Sequence, residues 1–101
     1  MLIKAGVDIS RLKRCIRKKL PAIAAIIWTI EKEELVITST YEGNHSEGSL
    51  HYCDEAVDVR KGNKAIPVKN EIERELGDDY DIVIFTDGIH IEYDPRKIGP
   101  V

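Results

Sequence analysis

The stretch YDIVIFTDGIHIEYD, residues 80–94, decides the reading of the fold. Two runs rich in β-branched and aromatic residues flank Asp87-Gly88, a dipeptide strongly favoured at the tip of a two-residue hairpin. An antiparallel hairpin is therefore predicted, with its turn at Asp87-Gly88. Along its second strand Ile89, Ile91 and Tyr93 fall on one face, while His90, Glu92 and Asp94 fall on the other.

Outward from the hairpin, the same alternation recurs in AVDVR, residues 56–60, where Val57 and Val59 face one way and Ala56, Asp58 and Arg60 the other. LVITST, residues 35–40, is a short β-branched strand followed by the polar, Gly-containing loop YEGNHSEGS. Between strands, PVKNEIEREL opens with Pro67 and stops at Gly77, the usual punctuation of a helix. Near the N-terminus, Asp8 or Ser10 can cap a helix whose stripe is Ile9, Leu12, Ile16 and Leu20. Pro21 either kinks that helix or begins a second, on which Ile23, Ile26, Ile27 and Ile30 continue the apolar face and Trp28 is expected in the core or as a lid. The expectation is one α+β domain over residues 1–101, an antiparallel sheet packed against N-terminal helices.

Composition bounds the function. A chain of 101 residues with 43% hydrophobic and 33% charged residues is globular rather than disordered. Residues 1–20 carry seven Lys/Arg against one Asp, and the remainder eight against seventeen acids. Basic residues such as Arg11, Arg14 and Lys18 could meet phosphate, but on an amphipathic helix they read first as a solvated face, so no nucleic-acid partner is expected. Cys15 and Cys53 form no zinc-ribbon or disulfide framework and are expected as reduced thiols. The apolar segment PAIAAIIWTI is about half the ~20 residues that span a bilayer, and the N-terminus has no signal-peptide pattern, so no membrane partner and a cytoplasmic start are expected.

Chemistry concentrates in SLHYCDEAVD, residues 49–58, and in the hairpin. Asp58 and His90 each sit opposite the aliphatic residues of their strands, which lets them converge. His51 lies seven residues before Asp58, a span of roughly 23 Å if extended, so the chain must fold back for both to reach one metal. His51, Asp58 and His90 would leave a fourth tetrahedral position open, as catalytic zinc sites do. Asp87, three residues before His90, is the carboxylate to try as general base. Each residue also has an ordinary reading: His51 as a loop histidine, His90 as a polar strand face, Asp87 as a turn former and Glu92 as a cross-strand charge. His45, in the Gly-rich loop, is expected to face solvent or substrate, and Ser49 to shape the loop.

These residues resemble the zinc D-Ala-D-Ala carboxypeptidase and L-alanyl-D-glutamate endopeptidase family, which shares its fold with the Hedgehog signalling domain. The family's Ser-x-His-x-x-Gly-x-Ala-x-Asp is matched by Ser49, His51, Ala56 and Asp58, and its Asp/Glu-x-x-His-x-Glu by Asp87, His90 and Glu92. Small phage-encoded members look most similar, over roughly residues 35 to 95. Two departures stand out: the family's Gly is Asp54 here, and Tyr41-Glu42 occupies the place where many relatives carry an Arg.

The resemblance implies a Hedgehog/DD-peptidase-like fold, zinc on His51, Asp58 and His90, Asp87 as catalytic acid and base, and Glu92 supporting the metal-ligating histidine. It implies hydrolysis of an amide in peptidoglycan stem peptides, encoded by a phage or prophage and reaching the wall after release or within a virion. A module of the same fold that binds phage virion proteins without catalysis is the alternative, and a basic-helix nucleic-acid binder is a third.

Overall fold

Eight short elements follow one another in the computed structural model, which describes residues 1–7, 14–41 and 56–93. They are β1 (Leu2–Ile3), α1 (Arg14–Arg17), α2 (Leu20–Glu31), β2 (Val36–Tyr41), β3 (Ala56–Val59), α3 (Ala65–Leu76), β4 (Tyr80–Phe85) and β5 (Gly88–Tyr93). The strands form one sheet in the order β1-β2-β3-β5-β4. The domain is α+β, as expected, but its sheet is mixed: β1 runs parallel to β2, and the other pairs are antiparallel. Parallel neighbours need a long crossover, which the helical segment between Ile3 and Val36 supplies. A two-residue strand has too little alternation to be legible in sequence.

The helices make one side of the sheet wet-proof. Ile23 and Ile27 of α2 and Val68 and Ile72 of α3 join Val57, Val59, Ile89 and Ile91 in one buried cluster. At ~25 cal/mol per Å² of apolar surface, this cluster is the main favourable contribution to folding. The layer includes the C-terminal half as much as the N-terminal helices, because α3 packs on β4 and α2 packs on α3. Trp28 is 56% exposed and so does not join the core, the first of its two expected places. Successive helical residues turn by about 100°, so Trp28 points off the stripe set by Ile23 and Ile27. The predicted start of the first helix, Asp8 to Lys13, lies outside the described residues.

Pro21 resolves as the start of a second helix, in the first turn of α2, where its missing N–H has no intrahelical partner to lose. The helix predicted from Pro67 begins two residues earlier, at Ala65, which still leaves the proline within the first turn. Glu31, the last residue of α2, reaches across to accept the Lys64 N–H at 2.9 Å and so fastens the entry of α3. Gly77 ends α3 with φ 87°, a conformation in which most side chains are strained.

The hairpin is present with its turn shifted by one residue. Phe85 pairs with Gly88, so the two turn residues are Thr86 and Asp87, and neither has the positive φ that an Asp-Gly turn would use. Gly88 is required for another reason: a Cβ there would stand 2.5 Å from the Val59 carbonyl oxygen. Glycine lets the backbones of β3 and β5 meet closely at the end of the sheet.

Candidate functional site

In an antiparallel sheet, directly paired residues share a face. The pairs Val57–Ile91 and Val59–Ile89 point into the core, which turns the intervening pair Asp58–His90 to the opposite face. Ser39 flanks Asp58 on β2, and Val83 flanks His90 on β4, completing a row of four across the sheet. A register shift between Ile37 and Ser39 bulges β2 at this point. The bulge frees Thr38, whose hydroxyl donates to the Asp58 carbonyl oxygen at 3.2 Å.

The side chains meet. His90 Nδ1 lies 2.7 Å from Asp58 Oδ1, and His90 Nε2 lies 3.1 Å from Glu92 Oε1. Glu92 follows His90 by two residues, so the strand period puts both on one face. Asp58 is 6% exposed and is the buried charged residue among those described, a position that a carboxylate holds only when its oxygens are satisfied. Burial lowers the His90 pKa, but hydrogen bonds to Asp58 and Glu92, together with their charges, outweigh it and raise the value above 6.5. The two carboxylates therefore favour the protonated imidazole, which can donate to both of them.

Asp87 is exposed on the turn and opens on the same cavity as Asp58, about 420 Å³ in volume. Thr38, Ser39 and Phe85 line it as well, together with Lys4 and Arg60. The structure thus joins Asp58, His90 and Glu92 and places Asp87 on a cavity that Asp58 also lines. His51, His45 and Ser49 lie outside the described residues, as do Cys53 and Asp54. Among the described residues no three His, Cys, Asp or Glu side chains form a group able to hold a metal.

The pair fits a zinc ion in its donor chemistry. An imidazole nitrogen and a carboxylate oxygen are ordinary zinc ligands, and they face each other here from strands 32 residues apart in sequence. The Glu92 contact would serve as the outer hydrogen bond that selects which nitrogen of His90 is left for a metal. Sequence reasoning missed Lys4 and placed Arg60 on the Asp58 side of its strand without giving it a role in the site. The alternation placing Arg60 on the Asp58 side was a readable signal, whereas Lys4 arrives only through the unforeseen β1. Compared with known proteins, the chain matches no family model, no curated protein and no solved structure.

Proposed function

We propose that the protein is a zinc-dependent metallopeptidase that hydrolyses an amide bond in peptidoglycan stem peptides, of the DD-carboxypeptidase or L,D-endopeptidase type and encoded by a phage or prophage. The observation that supports this most is the Asp58–His90–Glu92 relay on the face of the sheet away from the core. A histidine held at both nitrogens by carboxylates, one of which lines a cavity, is costly to build for packing alone.

In this reading His51, Asp58 and His90 hold the zinc, which when bound polarises the scissile carbonyl and makes a water more acidic. Glu92 accepts the Nε2–H of His90, leaving the Nδ1 lone pair directed toward Asp58. Thr38 holds the backbone at Asp58 and so limits its movement when the His90 proton leaves. Asp87, solvent-accessible and on the cavity that Asp58 lines, takes a proton from the attacking water and hands it to the leaving amine.

The test combines metal analysis with release of fragments from purified cell walls. Stoichiometric zinc and wall hydrolysis are expected, with Asp87→Ala keeping the zinc while losing about 10²- to 10⁴-fold in rate. Absence of zinc binding would sink the reading. Zinc without turnover would favour the virion-binding module, toward which Asp54 and the absent Arg already lean.

A further inference from the structure

The sheet ends at one side on β1 and at the other on β4. Natural edge strands are kept short, charged or bulged, because their outward N–H and C=O groups invite another strand. β1 obeys this, with two residues before Lys4. β4 does not: YDIVIF runs for six residues in unbroken register with β5, holds no proline and no lysine, and has Asp81 as its one charge. Val83 is 49% exposed and Phe85 37%, both on the outer face beside that edge. Phe85 and Gly88 close the two-residue turn as a pair that exchanges hydrogen bonds, so the N–H groups of Ile82 and Ile84 turn away from β5. Among the described residues no strand meets them.

The strand is complementary to itself. When two copies of β4 meet antiparallel about a two-fold axis at Val83, Val83 faces Val83 of the second copy and Phe85 lies diagonal to it, which gathers both valines and both phenylalanines at the axis. On the inner face Ile82 of each copy faces Ile84 of the other. Asp81 faces Phe85 and stands about 13 Å from its own counterpart, so the strands oppose no like charges. A register shifted by two residues toward the turn sets Asp81 against Asp87, and a shift the other way parts the two valines and sets Phe85 against Asp79.

We infer that the edge of β4 seats a second copy of this chain, joining two five-stranded sheets into one across the two-fold at Val83. The inference stands on the edge strand and is independent of the peptidase reading. The outer-face row Ser39–Asp58–His90–Val83 then runs on into its counterpart, with both cavities on the same side of the joined sheet. The two His90 residues come to lie three strand spacings, about 14 Å, apart.

Sedimentation equilibrium of the full chain at rising concentration is expected to show monomer and dimer in exchange. Val83→Lys, which opposes like charges at the axis, should raise the dissociation constant about 100-fold or more, with unchanged circular dichroism. In a Cys15→Ser/Cys53→Ser background, Val83→Cys should give a disulfide-linked dimer under mild oxidation, because opposed residues bring their Cα atoms to about 4.5–5.5 Å. Asp81→Cys in the same background should not. The amides of Ile82 and Ile84 are expected to exchange slowly in the dimer and rapidly in Val83→Lys. A monomer at every concentration overturns the proposal, and so does a dimer that Val83→Lys leaves intact. Equal cross-linking through positions 81 and 83 overturns the pairing at Val83. Slow exchange of both amides in monomeric Val83→Lys means that the chain's own residues cover the edge, and the second copy loses its seat.

Discussion

The two faces of β5 differ by one residue in sequence and by almost everything in physical role. Ile89 and Ile91 are at most 1% exposed and are held by apolar contact, which has no direction but is sensitive to volume. His90 and Glu92, between and beyond them, are held by contacts that depend on the placement of single atoms. The inner face should therefore punish loss of volume, and the outer face loss of chemistry. A period of two lets one strand carry both kinds of information.

The largest expected effect comes from the inner face. Ile91→Ala removes buried volume and should cost about 2–5 kcal/mol, a large share of the stability of a domain this size. A urea titration would show it as a lower midpoint. Its neighbour offers the contrast: Glu92→Gln should change stability by less than about 0.5 kcal/mol while weakening zinc binding about 10- to 100-fold. A Glu92→Gln variant as unstable as Ile91→Ala would break the distinction between the faces.

Gly88→Ala is the change expected to hurt both faces together. Its Cβ would meet the Val59 carbonyl oxygen at 2.5 Å, and backbone cannot rotate away as a side chain can. Separating β3 from β5 should cost about 1–3 kcal/mol and also pull Asp58 from His90. Zinc affinity and urea midpoint are expected to fall in parallel, unlike in either neighbour. Unchanged affinity would mean that the Asp58–His90 pair does not depend on close strand contact.

The outer face should also leave a signature in pH. The folded-state pKa of His90 lies above its ordinary 6.5, so the folded protein binds this proton more tightly than the unfolded chain does. The stability it contributes is fully present below pH 6.5 and is lost as pH rises through the folded-state value. Metal-free protein should therefore show a falling urea midpoint above pH 6.5, and His90→Gln a flatter one. Zinc affinity should move oppositely over the same window, because the metal needs the neutral imidazole.

What could be read from sequence follows the same division. Alternation in residues 56–60 and 89–93 was enough to place Asp58 and His90 on the side away from Val57, Val59, Ile89 and Ile91, because a strand's period is short and rigid. The turn was misplaced because Asp87-Gly88 has a strong local explanation, whereas the need for Gly88 comes from β3, some 30 residues away in sequence. Trp28 misled because its size argues for burial while its angle on the helix argues against it. Lys4 was illegible as a cavity residue, since its place depends on the parallel pairing of only two residues with β2.

The smallest expected effect separates stability from the site altogether. Lys32 ends α2 with φ 61° and donates its N–H to the Trp28 carbonyl at 3.0 Å, a left-handed cap usually filled by glycine. Lys32→Gly relieves the contact between Cβ and backbone that makes this conformation costly for other residues. Glycine also gives the unfolded chain more freedom, which offsets part of the gain, so the net stabilisation should be about 0.5–1 kcal/mol. The cap belongs to the helical layer, whereas the proposed zinc site lies on the opposite face of the sheet. The urea midpoint is therefore expected to rise with zinc affinity unchanged. A coupled change in affinity would show that the helical layer tunes the site through the sheet, and the two faces would have to be treated as one energetic unit.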